Sequence, residues 1–220
     1  MLATDLVSQI VSPLKTSDTG AKALKWMSEF GVRHLPIVNE KQFLGLISED
    51  DILDLSESEE ALGNHRLSLW KPFVYEDLHI YDVIRNMVDM KLTLIPVIDR
   101  EENYTGIILL EDLLQFFATF NSIQENGGVL VLEVNVRDYS LTEISRIAES
   151  GDAIILSSNV RSFPDKSNLE VIIKTNKEDL KPVIAAFERF EYKVKAYYHH
   201  SEDTEDMKNR VDSFFNYLNV

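Results

Sequence analysis

Ser48, Asp51 and Asp112 are the residues of this chain best placed to bind a ligand. Ser48 and Asp51 lie in "GLISEDDIL" (45–53), and Asp112 lies in "GIILLEDLL" (106–114). Each phrase opens on Gly, runs through apolar residues and reaches an acidic pair ending in Asp. A hydroxyl followed three residues later by an acid, at the head of a helix, is a capping pair, with Ser48 as N-cap and Asp51 at the third helical position. Glu49 and Asp50 then fall in the first turn, where acids suit the helix dipole. The same geometry offers ligand chemistry. A helix N-terminus with a hydroxyl and free N–H groups can hold a phosphate. A carboxylate one turn in can accept two hydrogen bonds from a ribose diol. The second phrase keeps its carboxylate, Asp112, but has Leu109 where the first has the hydroxyl, so it loses the cap and the phosphate half. Three consecutive acids at 49–51 repel phosphate unless cations offset them. Arg33 and His34, just before the strand around Pro36, are the nearest candidates, with Lys15, Arg66, Lys71 and Lys91 as further ones.

The elements that must position these groups form an internal repeat. "GVRHLPIVNEKQFLGLISEDDIL" (31–53) aligns with "KLTLIPVIDREENYTGIILLEDLL" (91–114): Pro36 on Pro96, Gly45 on Gly106, Asp51 on Asp112, with one extra residue between the apolar segments of the second copy. Upstream, Ala23, Leu24, Met27 and Phe30 recur at helical spacing, as do Ile80, Val83, Ile84 and Met87. Each unit reads helix, strand, polar turn, strand, helix. The turns are "NEKQ" (39–42) and "DREENY" (99–104). One such unit buries too little surface alone, and two related by a pseudo-twofold would cover each other. The stretch 54–73 joins them as a helix end, a polar linker and a lead-in strand, in which His65 and Trp70 read as packing or linker residues.

The repeated order of helix, Pro-containing apolar strand and Gly-x-apolar-Ser/Thr-x-x-Asp resembles the CBS domain, and the tandem pair is similar to a Bateman module covering roughly residues 1–122. The resemblance implies that Ser48 faces a phosphate and Asp51 a ribose of an adenosyl ligand: AMP, ADP, ATP or S-adenosylmethionine. Because each cleft of a Bateman module draws on both repeats, the Ser48/Asp51 cleft would also use Thr93. The Asp112 cleft would use Thr16, Arg33 and His34, and the first cleft is expected to bind the tighter.

After the polar, Gly-containing boundary 121–128, the pattern changes to β-α-β-β-α-β, the split ferredoxin-like order. Pro182 requires its helix to start only a few residues earlier, and Tyr192, Val194, Ala196 and Tyr198 alternate as an inward strand face. "VNVRDYSLTEI" resembles the opening of an ACT domain, with Asp138, Leu141 and Ile144 in place but Tyr139-Ser140 where the family has Pro-Gly. The absence argues against amino-acid binding at that turn. The tail "TEDMKNRVDSFFNYLNV" places Met207, Val211, Phe214, Phe215 and Leu218 on one helical face, too acidic for a membrane surface. His199-His200 beside Glu202 and Asp203 make a poor metal pair, since adjacent strand residues point to opposite faces.

The expected architecture is therefore α+β: CBS repeats over 1–60 and 61–122, an ACT-like domain over 127–200 and an amphipathic helix over 201–220. Such an order resembles proteins called acetoin-utilisation protein B-like. The 220 residues contain no Cys, which fits a reducing cytosol, and carry a formal charge of −15, which argues against nucleic acid. No apolar run approaches a membrane span, and the N-terminus has no signal-peptide pattern. No nucleophile–base constellation, P-loop, dinucleotide fingerprint or metal cluster points to an enzyme. The expectation is a cytoplasmic, homodimeric regulator that takes an adenosyl effector, has no obligatory cofactor and acts on a protein partner. A structural adaptor with empty clefts is the alternative.

Overall fold

The computed structural model describes residues 1–55, 57–65, 69–163 and 167–199. The chain divides into two compact units, the first ending at Phe116 and the second starting at Phe117, each with its own apolar core.

The first unit holds both repeats. Helix α1 (Gly20–Phe30) opens on Thr19, whose hydroxyl accepts the Lys22 N–H at 3.2 Å, and stops at Gly31, whose φ of 63° ends the helix in the left-handed region. Strands β1 (His34–Asn39) and β2 (Gln42–Ser48) form an antiparallel hairpin that runs directly into α2 (Glu49–Leu53). The second copy repeats the plan with β3 (Val74–Tyr75), α3 (Ile80–Asp89), β4 (Leu94–Ile98), β5 (Tyr104–Leu109) and α4 (Leu110–Phe120). Strand β3 lies parallel to β4, and Leu14 bridges Ile37 of β1 in the same parallel sense. Strands β1 and β4 are buried nearly end to end, so their apolar residues on both faces have cover.

The repeats are tied by exchange of their leading segments. Ser8 pairs with Ile107 of β5 through bonds of 2.8 and 3.0 Å, and Ala3 donates its N–H to the Leu78 carbonyl at 2.8 Å. Reciprocally, Leu46 of β2 donates to the Trp70 carbonyl, and Leu62 donates to that of Asp18, both at 2.8 Å. The segment preceding each repeat is thus stitched into the other. This explains the Gly at the head of each phrase: a Cβ on Gly45 would sit 2.6 Å from Leu69 Cβ, and one on Gly106 would sit 2.7 Å from the Ser8 carbonyl oxygen and 2.6 Å from Val7 Cγ1. Gly106→Ala is expected to destabilise the first unit by about 1–3 kcal/mol by pushing the strap off β5. A lowered urea midpoint checks this.

The second unit contains β6 (Val129–Asn135), α5 (Leu141–Ser150), β7 (Ile155–Ser162), β8 (Asn168–Thr175), α6 (Lys181–Arg189) and β9 (Lys193–Tyr198). Its sheet has the order β7-β8-β6-β9, antiparallel throughout. Ile144, Ile147, Val183 and Phe187 of the helices pack on Leu130, Leu132, Val171 and Ile173 of one sheet face. Helix α6 starts at Lys181, so Pro182 sits in its first turn, where its missing N–H costs nothing. One expectation is corrected. A register shift opposite Val131/Leu132 bulges β9, so Val194 faces the core with Leu132 while Ala196 and Tyr198 lie opposite Val131 and Val129 on the other face. The tail helix expected over 201–220, with Met207, Val211, Phe214, Phe215 and Leu218, lies outside the described residues, as do His200, Glu202 and Asp203.

Candidate functional site

Ser48 and Asp51 form a closed capping box. The Ser48 hydroxyl accepts the Asp51 N–H at 3.1 Å and donates to Asp51 Oδ2 at 2.6 Å, and the Ser48 N–H donates to the same Oδ2 at 2.9 Å. These bonds hold the Asp51 carboxylate in one orientation. They leave Oδ1 without a partner among the described residues, on an exposed side chain. They also commit the hydroxyl proton of Ser48. The next N–H of the turn, that of Glu49, donates to the Arg33 carbonyl at 3.0 Å. The N–H groups of Ser48, Glu49 and Asp51 are therefore all used internally, and α2 spans only five residues. The end of α2 offers little to a phosphate.

Arg33 and His34 belong to this end of the unit. Arg33 Nε lies 3.3 Å from Glu49 Oε2, and Nη2 lies 3.9 Å from Asp50 Oδ1. The guanidinium offsets two of the three acids, so it is not a spare cation for an incoming anion. Thr93 of the other repeat joins the group: its hydroxyl accepts the Arg33 N–H at 3.0 Å and lies 3.1 Å from His34 Nδ1. Within each repeat the same backbone bond ties the helix start to the residue before the first strand, Glu49 N–H to the Arg33 carbonyl and Leu110 N–H to that of Thr93 at 3.1 Å.

Burial, reinforced by the Arg33 charge, lowers the His34 pKa, while Asp51 and Asp50 oppose that shift. The unfolded chain then binds the proton first as pH falls, so stability drops below about pH 6.5, the unfolded value, until His34 titrates in the folded state. Above that value His34 is neutral in both states and contributes no slope. His34→Asn is expected to flatten the acid side of the stability–pH curve, and urea titrations between pH 5 and 7.5 check it.

The second phrase is built differently. Leu109 packs half-buried against the core and, as the residue before α4, has no side-chain oxygen with which to cap it. Among the described residues the half-buried Asp112 makes no side-chain hydrogen bond or ion pair, so neither carboxylate oxygen is committed. Thr16 lies in the turn before α1, where its carbonyl accepts the Gly63 N–H at 2.8 Å. No hydrogen bond joins Thr16 to Asp51 or Asp112. Ser48, Asp51, Arg33, His34 and Thr93 are thus brought together, while Asp112 and Thr16 stand apart from them by every bond described. Lys15 and Lys91 make no ion pair with the acids of α2 among the described residues, and Arg66 lies outside those residues. The engagement of Ser48 with Asp51 was readable as a cap. That it uses up the hydroxyl proton was not, because hydrogen-bond direction depends on rotamers.

Among the described residues no group of three or more His, Cys, Asp or Glu could hold a metal ion. None of the described helices is long and apolar enough to cross a membrane.

Residues 5–58 and 71–119 match the family model of the CBS domain, so the chain carries a tandem CBS domain pair. An uncharacterized protein of Methanopyrus kandleri is 28% identical over 105 residues, 45% of this chain and 54% of that protein. The chain thus spans about half the length of that curated relative. Among solved structures, it is similar to a CBS domain pair/ACT domain protein from Thermotoga maritima, at 23% identity and a TM-score of 0.48, covering 54% of this chain and 98% of the other. It is also similar to a CBS domain pair solved in complex with 5′-methylthioadenosine and S-adenosyl-L-methionine, at 24% identity and a TM-score of 0.44, covering 54% and 97%.

Proposed function

We propose that this chain, which carries a tandem CBS domain pair, is a regulatory sensor for an adenosyl ligand of low negative charge. The ligand would be held mainly in the cleft containing Asp51, with a weaker second cleft at Asp112. CBS domain proteins are typically regulatory, non-catalytic modules, and CBS pairs commonly bind adenosine ligands. The observation that carries the finer reading is the capping box: it holds the Asp51 carboxylate with Oδ1 free to accept a ribose hydroxyl. A carboxylate fixed before binding loses less entropy on complex formation than a mobile one. Arg33 and Thr93 line the same end from both repeats.

The charge around Asp51 selects against polyphosphates. Glu49, Asp50 and Asp51 outnumber Arg33, and three backbone N–H groups of the turn are already bonded. Each phosphate added to adenosine increases repulsion with little to offset it. Adenosine or the cationic S-adenosylmethionine fits better than ATP. Thermal melts of the whole chain with each compound test the reading: adenosine and S-adenosylmethionine raise the midpoint, and no shift with any adenosyl compound would favour the adaptor alternative.

The second unit supports relay by an ACT-type domain through its element order and its antiparallel sheet. Homodimer formation is supported by Leu53 and Leu114, which occupy equivalent positions in the two phrases and are 64% and 70% exposed, with Leu110 nearby in sequence at 49%. Apolar side chains repeated on the outer faces of α2 and α4 suit an isologous contact. Light scattering is expected to give twice the 25.3 kDa chain mass; a monomer at micromolar concentration would contradict it. The cytoplasm, where a protein partner would receive the signal, remains the compartment proposed.

A further inference from the structure

A concave site lies at the hairpin end of the first unit, opposite the capping box. It is a half-open groove of about 370 Å³, within the size range of small-molecule sites. Its apolar lining comes from Phe43, Phe73 and Ile98, and its charged lining from Lys71, Glu101 and Glu102. Phe43 and Ile98 are buried, and Phe73 is 38% exposed.

The groove follows from the one place where the repeats differ in length. The first hairpin turns tightly between Asn39 and Gln42, while the second carries the extra residue and turns through 99–103. Asp99 braces the longer turn: Oδ1 accepts the N–H groups of Glu101 at 2.9 Å and Asn103 at 2.7 Å, and Oδ2 accepts the Asn103 side-chain amide at 2.9 Å. Glu102 completes the turn at a φ of 65°. The extra length thus forms a rigid wall bearing two carboxylates, where the shorter first hairpin bears one, Glu40.

These charges are not neutralised from within. The turn's own cation, Arg100, is held by Asp77, with Nε at 3.1 Å from Oδ2, and lies over the Tyr75 ring. Among the described residues, neither Lys71 nor Glu101 nor Glu102 makes an ion pair, with each other or with any other group. An ammonium and two carboxylates therefore line one apolar-floored groove without closing on one another.

We propose that this groove binds a small zwitterion with an apolar body, for which a free α-amino acid with an aromatic or branched side chain is the simplest fit. Its carboxylate would meet Lys71, its ammonium Glu101 or Glu102, and its side chain Phe43, Phe73 and Ile98. Each end makes a charge-assisted hydrogen bond, and the two together distinguish a zwitterion from a simple acid or amine.

Calorimetric titration of the whole chain with L-phenylalanine, L-leucine, N-acetyl-L-phenylalanine and L-phenylalanine amide tests the proposal. The free amino acids are expected to bind saturably, with about a tenfold loss on blocking either end. Lys71→Gln should stop the chain distinguishing phenylalanine from its amide. Glu101→Gln with Glu102→Gln should stop it distinguishing phenylalanine from the N-acetyl form. These side chains are exposed, and an unchanged melting midpoint shows that each variant is folded. No saturable binding of the free amino acids, equal binding of the blocked forms, or variants that discriminate as the parent does would each overturn it. Adenosyl binding should be unchanged in these variants, so this outcome and that of the nucleotide reading are separable.

Discussion

Asp51→Ala is expected to lower affinity for adenosine by about tenfold to a hundredfold, the effect of removing a charged hydrogen-bond acceptor from a ribose hydroxyl. The size of the effect follows from the state of the carboxylate before any ligand arrives. Ser48 fixes it with two bonds to Oδ2, and Oδ1 of this exposed residue has no partner among the described residues. Among the described residues Asp112 has both oxygens uncommitted, but Leu109 offers no hydroxyl to orient it. Asp112→Ala is accordingly expected to cost less, about tenfold at the weaker cleft only. Ser48 serves as a positioning residue, since its proton goes to Asp51. Ser48→Ala should therefore weaken adenosine and its phosphates by the same factor. It should also cost about 1 kcal/mol of stability through the lost cap, so affinities are compared on protein shown to be folded. A loss confined to phosphorylated ligands would instead place Ser48 on the phosphate. Loss of the tight site in Asp112→Ala with Asp51→Ala unaffected would reverse the assignment.

Gly127→Ala is expected to be the most damaging single methyl addition in the chain. Its φ of 133° lies where L-residues are strained, and an added Cβ would stand 1.9 Å from the carbonyl oxygen of Thr175 and 2.9 Å from its carbon. The neighbour cannot give way cheaply. Thr175 is wholly buried, its N–H donates to the Gly128 carbonyl at 2.8 Å, and Gly128 in turn donates to the Lys177 carbonyl at 2.7 Å. Backbone strain and overpacking together put the loss at about 3–5 kcal/mol, a large share of a small unit's stability. Far-ultraviolet circular dichroism through a urea titration should show a transition for the second unit at much lower denaturant, with that of the first unit in place. A shift of less than about 1 kcal/mol would show that the turn relaxes.

Repetition made the first unit legible. Two copies of one phrase, each led by a helix stripe and a Pro-containing strand, set out the element order and the hairpins. Gly45 and Gly106 were visible as matched positions, but the cause of the match was not. The strap pairing of Ser8 with Ile107 joins residues far apart in the chain, and no local propensity signals such a contact. Ser48 and Asp51 were readable as a cap because capping is local. Whether Arg33 turns toward the acids of α2 or toward Asp112 was not, since a long side chain on a strand end reaches either way. In the second unit the alternation of Val194, Ala196 and Tyr198 looked regular, and the bulge opposite Val131 and Leu132 broke it. A bulge shifts facing by one residue while leaving the sequence pattern intact.

The central claim is that the capping box presents Asp51 to the ribose of a ligand carrying little negative charge. Equilibrium titration of the whole chain, in one low-salt buffer, with S-adenosylmethionine, adenosine and ATP tests it most directly. The account predicts saturable binding in the order S-adenosylmethionine, adenosine, ATP, with the first two weakened by Asp51→Ala. Binding that tightens from adenosine to ATP, or adenosine binding untouched by Asp51→Ala, would contradict it.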